Sequence, residues 1–123
     1  IFELDVPVLG ICYGMQTLAE QFGGQVSSSR TKEFGHAQIT IEKASLLFEG
    51  FSSGSSIDVW MSHGDHVSTL PDEFHLLAAT PSAPIAAMEH IEKPIYALQF
   101  HPEVTHTNEG IAVLENFTFK ICR

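Results

Sequence analysis

The chain has 123 residues, 44% of them hydrophobic, with six Lys plus Arg against fifteen Asp plus Glu and a formal net charge of −9. That length and apolar content predict one domain with a packed core, and the few scattered cations supply no basic patch, which argues against nucleic acid as a partner. No apolar run approaches the roughly 18 residues of a membrane-spanning helix, and the first residues lack the basic and apolar regions of a signal peptide.

Pro7 to Ile11 is a short apolar run that predicts a buried strand. Gly10 and Gly14 flank Cys12 at two residues on either side. A helical pattern follows, with Met15, Leu18, Ala19 and Phe22 on one face and Gly23 and Gly24 closing it. A G-x-nucleophile-x-G turn between strand and helix is a nucleophile elbow. Glycines suit it because the turn is sharp and a substrate must approach the backbone closely. The sulfur would sit at a helix N-terminus, where the dipole and unpaired N–H groups favour thiolate over thiol. A small buried cysteine in an ordinary strand-to-helix turn is the alternative reading.

The middle of the chain reads mostly as strands. Glu33, Phe34 and Gly35 form a turn before a strand from Ala37 to Ile41, whose Ile39 and Ile41 point inward. Leu46 to Phe51 is a short helical turn closed by Gly50, and Ser52 to Ser56 is a loop. Ile57 to Met61 is a strand leading into a loop at Ser62. Phe74 to Thr80 and Ile85 to His90 form an antiparallel pair joined through Pro81 to Pro84. Trp60 reads as core packing and Tyr13 as pocket lining.

A further strand, Ile95 to Phe100, runs into His101, Pro102 and Glu103. A histidine just past a strand end stands where active sites gather in open α/β sheets. Pro102 stiffens the loop, and Glu103 can turn back to hold one imidazole nitrogen, leaving the other for a thiol. That is a Cys-His-acid arrangement of nucleophile, base and orienter. Taken singly, His101 reads as a capping or surface histidine and Glu103 as a solvated carboxylate. The last helix starts near Asn108, capped by Thr107 or Asn108, with Ile111, Leu114, Phe117 and Ile121 at helical spacing.

Two cysteines, Cys12 and Cys122, lie far apart, the second on an apolar helix face. They predict no disulfide and a reducing, cytoplasmic setting. Of the seven histidines, the pairs His63 with His66 and His101 with His106 lack zinc-motif spacing with cysteines, so no metal is expected. The sequon Asn116-Phe117-Thr118 falls inside the last helix and is discounted.

GICYGMQ at Gly10 to Gln16, followed by QFHPE at Gln99 to Glu103, resembles the signature pair of the class I glutamine amidotransferases. Within that class the chain is most similar to the amidotransferase domains of GMP synthases. That similarity rests on Tyr13, EFGHA at Glu33 to Ala37, VWMSHGDHV at Val59 to Val67 and HPEVTHT at His101 to Thr107. The resemblance covers nearly the whole chain, from Val6 to the final helix. It implies an α/β, flavodoxin-like fold with a mixed sheet and flanking helices. It implies glutamine as substrate, hydrolysed at the side-chain amide, with ammonia passed on for ATP-dependent amination of XMP.

The resemblance implies Cys12 as nucleophile, His101 as general base and acid, and Glu103 as its orienter. The backbone N–H of Tyr13 matches one oxyanion donor and Gln16 a glutamine-binding residue. The loop Ser62, His63, Gly64 and Asp65 matches the segment that grips the α-amino and α-carboxylate groups. The family's upstream Gly-rich loop, with a second oxyanion donor, and its first strands and helices are absent from the given residues. The chain therefore reads as the C-terminal portion of the family domain. Ala97 stands where the family commonly has glycine. The implied partner is an ATP-pyrophosphatase synthetase, fused or separate, which would hold ATP and Mg; no cofactor is expected in this chain. Two rival readings are a γ-glutamyl hydrolase of the same architecture and a non-catalytic regulatory module.

Overall fold

The computed structural model describes residues 6–81, 83–104 and 109–122, with residues 29–34, 62 and 63 described by their backbone alone. Six strands form one mixed sheet. In chain order these are β1 (Val8–Ile11), β2 (Gln25–Ile41), β3 (Ser56–Thr69), β4 (Phe74–Ala79), β5 (Ala87–His90) and β6 (Ile95–Leu98). The spatial order is β1-β6-β5-β4-β2-β3. β1 and β6 run parallel, and the other neighbours are antiparallel. Helix α1 (Tyr13–Gln21) follows β1, and helix α2 (Gly110–Glu115) runs on into a wider π-helical stretch, Asn116–Cys122.

Apolar side chains cover both faces of the sheet. On one face α1 lays Met15, Leu18 and Ala19 against Ile95, Ala97, Met88 and Phe74. On the other, Tyr96 and Leu98 join Ile39, Ile41, Phe48, Met61 and Val113, with Phe117 and Ile121 packed alongside. All four residues of β6 are buried, which is why it reads as a continuous apolar run rather than an alternating one. Burying such side chains contributes about 1.5–3 kcal/mol each. Helix α1 ends where Gly23, at φ +91°, reverses the chain and the Gly24 N–H reaches the Ala19 carbonyl at 2.7 Å.

The predicted strands over Ala37–Ile41, Ile57–Met61 and the β4–β5 pair are present, with Ile39 and Ile41 fully buried. β2 and β3 are longer than expected. Ser62 to Asp65, expected as a loop, belongs to β3. Ser62 pairs with Phe34, His63 with Glu33 and Asp65 with Ser28, and the register breaks between Ser28 and Glu33. Four residues of β2 therefore stand opposite Gly64 alone. The bulge lies in β2; the β3 segment opposite carries the polarity and glycine that suggest a loop, while the flanking ladder keeps it in the sheet.

Of the predicted face of the C-terminal helix, Phe117 and Ile121 pack against the core, but the first turn differs. Ile111 is 74% exposed and Val113 is buried in its place, because the pattern Ile111, Leu114 lies one position off the stripe set by Val113, Asn116 and Phe117. Cys122 is exposed rather than part of an apolar face. The helix cap at Thr107 or Asn108 lies outside the described residues. Trp60 is half-buried and meets His36 edge to face at 5.5 Å, so it is not a core residue. Asn116, in the discounted sequon, is buried and spends its amide on the carbonyls of Leu47 and Glu49, 2.9 Å from each. Among the described residues no helix is long and apolar enough to cross a membrane.

Candidate active site

Parallel pairing of β1 with β6 brings the two informative segments together. Gly10 opposes Ala97 and Ile11 opposes Leu98. One step further, the Cys12 N–H donates to the Leu98 carbonyl at 2.7 Å. Cys12 thus leaves the sheet at the carboxyl end of β1, beside the carboxyl end of β6, from which Gln99, Phe100 and His101 follow. The His101 N–H donates to the Trp60 carbonyl of β3 at 3.1 Å, which ties the histidine's backbone back to the sheet.

Cys12 has φ +54° and ψ −105°, and it is the one non-glycine residue with positive φ among those described. Such a conformation costs on the order of 1–3 kcal/mol and is held only by its surroundings. Those surroundings include Gly10, where an added Cβ would lie 2.7 Å from Leu18 Cδ1 and 3.0 Å from the Gly14 carbonyl carbon. Gly10 lets α1 fold down closely onto β1. Packing does not require a glycine at Gly14, where an added Cβ would meet nothing within 4 Å. The space beside it is open.

The expected preference for thiolate at the resting site is not what the geometry gives. Burial pushes the Cys12 thiol up, the Glu103 carboxylate adds a little in the same direction, and the Tyr13 backbone N–H and the Gln99 amide pull against them. Burial outweighs those two hydrogen bonds, so the thiol's pKa lies above its ordinary value.

His101 Nδ1 lies 3.0 Å from Glu103 Oε2, with side chains 26% and 51% exposed. A carboxylate can only accept, so Nδ1 carries the proton and Nε2 is left as the basic nitrogen. The loop holding this pair is pressed by α2: a Cβ on Gly110 would run into the Pro102 carbonyl group. Tyr13 presents its backbone N–H to the Cys12 sulfur while its ring is 76% exposed.

Gln16 is buried on α1 and points its amide at β3, donating to the Asp65 carbonyl at 3.0 Å and to Gln99 Oε1 at 3.4 Å. Gln99 in turn donates to Cys12 Sγ at 3.6 Å. The structure therefore gathers Cys12, Tyr13, Gln16, the Asp65 backbone, His101 and Glu103 at one end of the β1–β6 pair. The side chains of Ser62 and His63 lie outside the described residues. Sequence reasoning missed Gln99 and Gly110. Gln99 left a signal, a lone amide closing an apolar strand. Gly110 left none, because nothing beside it in the sequence marks the close approach of Pro102. Among the described residues no three histidine, cysteine, aspartate or glutamate side chains converge as a metal would need. Hollows of about 380 Å³ beside Glu89 and Lys93 and about 480 Å³ beside His36 and Asp58 lie away from Cys12.

The mixed sheet thus carries a strained cysteine turn at the end of one parallel strand and a His-Glu pair at the end of the next. Residues 1–121 match the family model of the class I glutamine amidotransferases, and the chain belongs to that family. It is 55% identical over 98% of its length to a GMP synthase (glutamine-hydrolysing) of Teredinibacter turnerae, and 54% identical over 99% to that of Hahella chejuensis. It spans about a quarter of the length of those curated relatives, 24% in each case. The crystal structure of a GMP synthase component from Thermoplasma acidophilum superimposes with a TM-score of 0.88 at 40% identity, over 94% of this chain and 57% of that one. A glutamine amidotransferase of Thermotoga maritima shares the fold, with a TM-score of 0.76 at 23% identity over 96% of this chain and 50% of that one.

Proposed function

We propose that this chain is the glutamine-hydrolysing part of a GMP synthase, working through Cys12, His101 and Glu103. The observation that carries the reading is the seating of Cys12 and the His101–Glu103 pair at adjoining ends of two parallel strands. The names of the relatives point to the same chemistry.

In this reading Glu103 holds the Nδ1–H of His101, and Nε2 takes the proton of the Cys12 thiol. A thiol whose pKa burial raises needs this transfer to be activated for attack. The thiolate adds to the amide carbon of glutamine. The oxyanion that develops is met by the Tyr13 N–H, a kind of interaction worth about 3 kcal/mol. His101 then gives its proton to the departing ammonia. A thioester remains. Water, deprotonated by the same imidazole, cleaves it to glutamate and restores the thiol. Gln16 from α1 and Ser62 to Asp65 from β3, opposite the bulge in β2, flank the site and bind the amino-acid end of glutamine.

The ammonia goes to an ATP-pyrophosphatase synthetase, fused or separate, for amination of XMP in the cytoplasm. ATP and Mg belong to that part.

The test is Cys12→Ala in the full-length protein. Glutamine-dependent ammonia release is expected to fall at least about a thousandfold, while GMP formation from added ammonium continues. Retained glutamine hydrolysis would overturn the reading. Cleavage of γ-glutamyl peptides in preference to free glutamine by the unaltered protein would turn it toward a γ-glutamyl hydrolase.

A further inference from the structure

Gln99 has no exposed surface at all, and burying a carboxamide is costly unless its donors and acceptor are met. Its two ends are met by different parts of the molecule. Nε2 donates to Cys12 Sγ at 3.6 Å, and Oε1 accepts from Gln16 Nε2 at 3.4 Å. The direction of this chain of amides is not arbitrary. The Asp65 carbonyl can only accept, so Gln16 must turn its NH2 group toward it. That same NH2 faces Gln99, which must answer with its oxygen. The NH2 of Gln99 is thereby aimed at the sulfur. A backbone carbonyl in β3 fixes the polarity of a relay that ends at Cys12.

We propose that Gln99 is a further catalytic residue, the fixed N–H donor that stabilises the Cys12 thiolate, with Gln16 as the positioning residue that orients it. The proposal deepens the function argued above and rests on Cys12 being its nucleophile. The proton balance is simple. The Cys12 proton goes to His101 Nε2, the new lone pair on sulfur accepts from Gln99, and no bond to Gln99 is made or broken. The donor is weakly used by the thiol and strongly by the thiolate, since hydrogen bonds to charged groups are the stronger kind. It therefore works both when the sulfur attacks and when it leaves the thioester. It also opposes the desolvation that makes this position unfriendly to a thiolate.

The experiment is the rate of Cys12 alkylation by iodoacetamide against pH in the full-length protein, read by peptide mapping, with the exposed Cys122 as the reference in each sample. Gln99→Met keeps the volume and removes the donor. The midpoint for Cys12 should move up by about one pH unit, and the rate at neutral pH should fall about tenfold, with Cys122 unchanged. An unmoved midpoint in the folded variant would overturn the proposal. If Gln99→Met does not fold, Gln16→Met, which leaves Gln99 in place without its orienting partner, is read in the same way. An upward shift supports the relay and an unmoved midpoint overturns it. The measurement uses no glutamine. It therefore judges Gln99 separately from the Cys12→Ala test, whose failure would overturn the glutaminase reading instead.

Discussion

The carbonyl group of Pro102 occupies the place a side chain on Gly110 would take. Two elements that share no sequence motif are thereby in backbone contact, and the loop between His101 and Glu103 is supported from below by the first turn of α2. Gly110→Ala should force that loop to move. Overpacking of this kind typically costs about 1–3 kcal/mol. Because Pro102 lies between His101 and Glu103, we expect glutamine turnover to fall more than stability alone explains, by roughly tenfold or more through misplacement. Thermal unfolding and steady-state glutaminase assays on the same preparation separate the two effects.

The two glycines of the cysteine turn should behave oppositely. Gly10→Ala places a methyl group 2.7 Å from Leu18 Cδ1, and the helix cannot retreat without loosening the α1 core. A loss of about 1–3 kcal/mol is expected in denaturant titration. Gly14→Ala meets no neighbour and should fold like the parent. If glutamine uses that open space, its KM rises while the unfolding midpoint stays where it was.

Asn116 joins the C-terminal helical stretch to the turn at Leu46–Phe48 by donating to two backbone carbonyls, those of Leu47 and Glu49. Asn116→Ala removes both donors from a buried site. Leaving a buried carbonyl unmet costs about 1–3 kcal/mol, and a combined loss of about 2–4 kcal/mol is expected here. Chemical denaturation followed by far-ultraviolet circular dichroism measures it. Glutaminase activity in the folded fraction should be little changed.

Cys12 links stability to alkaline pH. Its folded-state pKa is raised, chiefly by burial. As pH rises past the ordinary thiol value of about 8.5, the unfolded chain loses this proton first. Stability then falls until the folded thiol also ionises, and below that window the group contributes no slope. Thermal midpoints measured between neutral and alkaline pH should therefore decline more steeply in the parent than in Cys12→Ala. Equal slopes would mean that the thiol is not held protonated by its surroundings.

What the sequence by itself determined was local. The strand, glycine-flanked cysteine and amphipathic helix from Pro7 to Gly24, the buried run of β6, and the His-Pro-Glu loop all depend on residues within a turn or two of one another. Their chemistry survives being read one segment at a time. The placement of Ser62 to Asp65 within β3 was not legible, because the ladder to β2 overrides a polar, glycine-containing stretch that looks like a loop. Phe117 and Ile121 of the last helix were legible as core-facing, but its first turn was not, since Ile111 and Val113 compete for the core and only the position of the sheet decides between them.

The tertiary structure decided the rest. Gln99 meets Cys12 across 87 positions of sequence and Gln16 across 83, so neither bond has a local signature. The same holds for the state of the thiol. The helix N-terminus that favours a thiolate is written in the sequence beside Cys12, but the burial that raises the thiol's pKa comes from the folding of distant segments around the sulfur, and desolvation is a property of that whole environment.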